Sequence, residues 1–401
     1  MPLKIGIYNQ HMRTLGGGEK RTLVMAEHLS RANEVFLLVD AMPERAYLEQ
    51  YFDVDLSRVQ VVMLQEPRRG TWTCAGAHVL HNQRVRYAHV RQIRALDLDV
   101  FINNSHGSQL RCPARHGIYM CMFPVVLPLR SGRMHRLPSS ARALVSHLGN
   151  RVLHRELDAF TSYEVVTANS GFTSHWIEKL WGRTAEIVYS VCDAIGSSPH
   201  KEKIILNVGR FDAPDSNGHH KRQEALLATF LKMRELHQEG WQLHFVGGLR
   251  REDPSAVAYA ETLLATAQGA PVHLHFNAPL DQLRDLYRRA SLYWHATGYG
   301  DSPDTSPHTQ EHFGITTVEA MSAGTVPVVI NSGGQQETVQ SGINGFLWDD
   351  LEGLAASTRR LIADPALRAQ MAERAMESSL RFSRAAFNAK VDNILERLQD
   401  S

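Results

Sequence analysis

Apolar residues fall along this chain in short, nearly unbroken blocks, separated by stretches in which they recur every three or four positions. Residues 3–8, 34–39, 59–64, 99–103, 117–123 and 164–168 form the first set of blocks. Runs of this length predict strands buried on both faces. Between most of them the spacing is helical, as with Leu23, Ala26 and Leu29. A second series occupies 203–208, 242–248, 272–276, 292–296 and 326–330, with helical patterns over 223–237, 255–267 and 281–289. Strands alternating with helices predict an α/β fold of doubly wound parallel sheets, which bind ligands beyond the carboxyl ends of the strands. Between the two series, 189–203 turns rich in Ser, Gly and Pro, which places a hinge there. The expected division is an N-terminal domain over 1–193, a second domain over 200–382 and a last helix over 383–401.

A chain of 401 residues, 43% hydrophobic and 21% charged, can bury two cores. A net charge of +1 says nothing about partners as a whole; no recognition module is visible, so nucleic acid is not an expected partner. The opening residues 3–8 read as a strand rather than a leader, and no apolar run nears the ~20 residues of a membrane span. Cys74, Cys112, Cys121 and Cys192 form no CxxC pair, which fits reduced thiols in the cytoplasm. The 21 histidines are scattered, and no metal motif is present. One charge asymmetry stands out. From Val100 to Arg155 there is no Asp or Glu, while Arg111, Arg115, Arg130, Arg133, Arg136, Arg142, Arg151 and Arg155 lie within it. Such a face can meet phosphates or an anionic membrane surface, or it is simply solvated. Residues 142–157 have amphipathic helical spacing, suited to a membrane interface or to packing on a sheet.

The chemistry concentrates at 311–319. Glu311 precedes Phe313-Gly314, and Glu319 lies inside an apolar helical pattern. Gly314, Ile315 and Thr316 should form the start of that helix, where unpaired amides and the dipole favour an anion. A loop carboxylate, an anion site and a second carboxylate about one and a half turns later suit a ligand with hydroxyls at both ends and phosphates between. Near the N-terminus, Gly16-Gly17-Gly18-Glu19 follows a strand and opens a helix, a context that cradles phosphate or merely turns tightly.

Residues 311–347, with the strand 326–330, Asn331-Ser332-Gly333-Gly334 and Gly342-Ile343-Asn344-Gly345, resemble the C-terminal signature of retaining glycosyltransferases of family 4. Residues 276–334 are also similar to the mannosyltransferases of lipid-linked oligosaccharide assembly. The resemblance implies the GT-B fold, two Rossmann-like domains facing a cleft, with the last helix returning to the N-domain. It implies a nucleotide-diphosphate sugar as donor (UDP or GDP), no cofactor, and a hydroxyl acceptor that is a glycan, a lipid-linked sugar or a small molecule. Arg210 and Lys221 resemble the pair that clamps the donor diphosphate, with Arg222 a competitor for Lys221. Glu311 would hold sugar hydroxyls, Glu319 the ribose, and Gly17 and Gly18 would face the cleft. Turns at 247–248 and 277–280 lie where the family holds the base. Many relatives carry a His where this chain has Met122, and His106 is a stand-in at a neighbouring strand end. Asn169-Ser170-Gly171-Phe172-Thr173 matches a family segment that serves as a helix cap or a cleft-edge turn. The long polar loop 299–310 is longer than in most relatives, and reads as a specificity loop, a lid or an insertion.

The expected reaction is metal-independent, retaining sugar transfer from a peripheral position at the inner membrane face or in the cytoplasm. The rivals are an epimerase or a phosphorylase on the same fold, and a non-catalytic binder of nucleotide sugars or anionic polymers.

Overall fold

A computed structural model describes residues 2–67, 77–124, 159–214 and 220–400. The chain divides into two units, residues 1–188 with 388–401, and residues 189–387. Among the described residues, unit 1 holds a seven-stranded parallel sheet in the order β3-β2-β1-β4-β5-β6-β7. The strands are β1 (Lys4–Tyr8), β2 (Glu34–Val39), β3 (Val59–Met63), β4 (Val100–Asn103), β5 (His116–Cys121), β6 (Val165–Ala168) and β7 (Glu186–Ile187). Unit 2 holds a six-stranded parallel sheet, β10-β9-β8-β11-β12-β13. Its strands are β8 (Glu202–Val208), β9 (Gln242–Gly247), β10 (Val272–Phe276), β11 (Ala290–His295), β12 (Val326–Ile330) and β13 (Phe346–Trp348).

The apolar blocks become strands because crossover helices cover both faces of each sheet. β11 and β12 are buried at every position. Helix starts follow their capping residues. Asp350 accepts from Gly353 N at 2.7 Å, Asp364 accepts from Leu367 N at 2.9 Å, and Pro365 fills the first helical position. Ser170 caps its helix by accepting from Thr173 N at 3.0 Å, so that matched segment is at least a cap.

Three expectations need correction. The helix expected over 223–237 is two helices, Gln223–Lys232 and Arg234–Gln238. Met233 breaks the run with ψ near 59°, and Phe230 O takes both Met233 N and the His237 ring. β7 was not foreseen, because two exposed residues carry no apolar signal. Gly17 and Gly18 are not part of the tight turn that the glycine run allowed; they are the first residues of the helix Gly17–Leu29. The last helix, Arg384–Gln399, is divided. Its later part belongs to unit 1, where Asp392 meets His28 Nε2 at 2.8 Å and Arg397 meets Glu186 at 2.7 Å. Arg130, Arg133, Arg136, Arg142, Arg151 and Arg155, the helix expected over 142–157, and Cys74 lie outside the described residues. Among the described residues no helix is long and apolar enough to cross a membrane.

Unit 2 also carries a histidine cluster on β9 and β10, in which His244 is buried, His275 is half-buried and His273 is exposed. His244 Nε2 donates to Gln242 Oε1 at 3.0 Å, and its Nδ1 lies 3.1 Å from His275 Nε2. Burial first, then His273 and His275, push its pKa from 6.5 down to about 3. The unfolded chain therefore takes up this proton first as pH falls, and stability is lost from about pH 6.5 toward 3, at up to ~1.4 kcal/mol per unit. We expect His244→Gln to shrink the difference in unfolding free energy between pH 7 and pH 5 by about 1–2 kcal/mol. Urea denaturation at the two pH values measures it, and an unchanged difference contradicts the assignment.

Candidate active site

Glu311 is the centre of the arrangement in unit 2. Its Oε2 receives Lys221 Nζ at 2.8 Å and lies 3.1 Å from His295 Nε2. His295 ends β11 and is only 1% exposed. Burial lowers its pKa more than Glu311 raises it, so the ring is neutral near pH 7. An ionised carboxylate can only accept, so the His295 proton sits on Nε2. One carboxylate is thus gripped by a cation and by a neutral buried donor. Lys221 and Glu311 remain slightly exposed, at 17% and 18% of the side chain, so a ligand can reach them.

The backbone around Glu311 is fixed separately. Gly334 N donates to Glu311 O at 2.7 Å. Buried Gln310 accepts from Ser332 Oγ at 2.6 Å. A Cβ on Gly334 would stand 2.5 Å from both His312 O and Phe313 Cα, so only glycine lets the two turns approach. The helix Ile315–Ser322 begins directly after Gly314, whose φ of +92° favours glycine. Among the described residues, the amides of Ile315 and Thr316 meet no acceptor, which leaves an anion site at the positive end of the helix. Lys201 holds the other end, with Nζ 2.6 Å from Ala323 O and 2.8 Å from Arg288 O. Glu319, farther along, accepts from Tyr287 OH at 3.0 Å, and Thr316 Oγ1 accepts from Tyr293 OH at 2.7 Å. Burial raises the pKa of both tyrosines, so they stay donors.

The structure separates Lys221 from its competitor. Arg222 Nη2 is paired with Asp301 Oδ2 at 2.7 Å, tying the loop 299–310 to this turn. Arg210 lies at the end of β8, more than half exposed, with Nε 3.2 Å from Asp212 Oδ2. It is therefore bound to Asp212 rather than to Glu311. The turns at 247–248 and 277–280 meet through Asn277, which accepts from Leu249 N at 2.9 Å. In unit 1, Gly17 and Gly18 open their helix with Glu19 Oε2 accepting from Gly16 N at 2.7 Å. Met122 fills the space beside Gly18. His106 is exposed, and its carbonyl lies 3.3 Å from His11 Nε2. Sequence reasoning missed His295, Tyr287 and Tyr293. The one available signal for His295 was a polar residue at the carboxyl end of an apolar parallel strand.

Residues 193–378 match the family of glycosyl transferases group 1. That match lies wholly within unit 2 and takes in most of it. Over 253 residues the chain is 28% identical to the human GDP-Man:Man(3)GlcNAc(2)-PP-Dol alpha-1,2-mannosyltransferase, covering 59% of this chain and 49% of that one. It is 29% identical over 173 residues to the lipopolysaccharide core biosynthesis mannosyltransferase LpcC of Rhizobium leguminosarum, covering 42% and 44%. The chain thus spans about half the length of the curated relatives it matches. Among solved structures, Anabaena HepE with UDP and glucose superposes with a TM-score of 0.68 at 17% identity, over 98% of this chain and 100% of that one. Sucrose-phosphate synthase of Thermosynechococcus elongatus gives 0.71 at 16%, over 99% of each. These likenesses show the fold, the GT-B type with two Rossmann-like domains. In unit 2 the Glu311 turn and Gly334 must keep their close approach. Gly334→Ala is expected to cost about 1–3 kcal/mol, and wild-type stability in chemical denaturation would refute that packing.

Proposed function

We propose that the chain moves a hexose from a nucleotide-diphosphate sugar to an acceptor hydroxyl, with retention at the anomeric carbon and without a metal. The observation that carries this reading is the Lys221–Glu311 contact of 2.8 Å on the same unit as the open amides of Ile315 and Thr316. GDP-mannose is the donor favoured, because the mannosyltransferases that the sequence resembles use GDP-Man. Their acceptor, a dolichol-linked glycan, favours a glycan or lipid-linked sugar here.

In this mechanism Lys221 and the two amides face the diphosphate as negative charge develops on it. Arg210, exposed at the end of β8, leaves Asp212 to add a second cation. Glu311 gives up part of its grip on Lys221 to accept from sugar hydroxyls, while His295 keeps the carboxylate aimed. Glu319 takes ribose hydroxyls with its remaining lone pairs. The bond from the anomeric carbon to the phosphate oxygen breaks, and a bond to the acceptor oxygen forms on the same face. The acceptor proton passes to the departing phosphate oxygen.

Lys221→Ala is expected to weaken GDP binding at least tenfold, read by calorimetry. Glu311→Gln should bind GDP nearly as well and lose about 10²–10³-fold in turnover. Wild-type transfer by both variants rejects the assignment. Excess chelator should leave the rate unchanged, and a strict need for a divalent ion contradicts the cation clamp. Free epimerised donor or a sugar phosphate as product would replace transfer with the rival chemistries on this fold.

A further inference from the structure

Unit 1 contains a cavity of about 320 Å³ that the candidate site does not use. It opens at the carboxyl ends of β1, β2, β3 and β4, through Tyr8, Asp40, Glu66 and the turn after β4, and the helix Ala77–Arg94 closes one side. That is where doubly wound sheets take ligands, and the volume falls in the range of small-molecule pockets.

Its lining is selective in charge. Among the described residues the charged side chains of the lining are Asp40, Glu66 and Arg86, two carboxylates against one guanidinium. Asp40 is only 22% exposed, and Glu66 stands at the exposed rim. Burial lowers the pKa of His89, which keeps it neutral. Burial also raises the pKa of Asp40, and Glu66 pushes it up further, so the two carboxylates repel each other. His89 is 2% exposed, with Nδ1 3.7 Å from Asp40 Oδ1. Its Nε2 is buried without any partner. A buried ring nitrogen without a partner costs about 1–3 kcal/mol, and a donor from a ligand would relieve it. Tyr8 OH donates to Gln10 Oε1 at 3.3 Å and also reaches Asp40 Oδ1 at 3.5 Å, a long contact. The deep wall therefore presents His89 Nε2 as an acceptor without a donor, beside the half-buried carboxylate of Asp40.

We propose that this pocket binds a sugar-sized polyol bearing an amine, with the ammonium between Asp40 and Glu66 and a hydroxyl on His89, and that it excludes anionic sugars. The inference concerns unit 1 alone and stands whether or not the reading of unit 2 holds. Glucosamine, glucose and glucose 6-phosphate, titrated into the full chain at millimolar concentrations, test it by calorimetry and thermal shift. Glucosamine should bind about tenfold more tightly than glucose, and glucose 6-phosphate should not bind. Asp40→Asn should bring glucosamine down to the affinity of glucose. Glu66→Gln, at the exposed rim, should do so in part and guards against a folding defect in the first variant. Saturating GDP should leave glucosamine binding unchanged, whereas competition would place the sugar in the nucleotide site and overturn the proposal. Equal or tighter binding of the phosphate, an amine preference that survives both substitutions, or no binding of any probe also overturns it. GDP titration of the same protein reads the proposal for unit 2 separately.

Discussion

A carboxylate held between a lysine and a buried neutral histidine is the contact on which the proposed chemistry depends. Either partner alone would be weak. A lysine–glutamate pair near a surface is worth about 0–1 kcal/mol, and a long lysine wanders. His295 changes this, because it is 1% exposed and burial denies it a charge. It can only donate to Glu311, not compete with Lys221 as a second cation. The result is a carboxylate of fixed direction whose cation is free to answer a ligand.

The scaffold exists to keep that direction. β11 delivers His295 from a strand buried along its whole length. Gly334 closes onto the turn that carries Glu311, and Lys201 pins the far end of the helix Ile315–Ser322. Lys201 spends its charge on carbonyls, and burial brings its pKa from 10.5 to about 8. Each of these groups acts on backbone or on another side chain. Lys221 and the first amides of the helix are what this arrangement turns toward a ligand, around the carboxylate of Glu311.

How far the sequence told this in advance differs from residue to residue. The parallel strands were legible because burial on both faces leaves an unbroken apolar block, and β8 or β12 could be read directly. β7 could not, having two exposed residues. Met233 looks helical in any pattern, yet Phe230 O draws in His237 and the helix breaks there. Lys221 and Arg222 are adjacent cations, and spacing alone left both open. Arg222 adopts φ of +53°, and its side chain goes to Asp301. His295 read as the end of a strand, and nothing local marks it as the partner of a residue sixteen positions later. Those are long-range facts, and periodicity does not carry them.

The divided final helix has a consequence for how the molecule is made. Unit 1 includes residues 388–401, and two of its ion pairs, His28 with Asp392 and Glu186 with Arg397, need them. On the ribosome the first half of the chain emerges early but cannot complete its own fold until the last helix has followed. The half that starts first finishes last, and until then it waits with part of its surface uncovered.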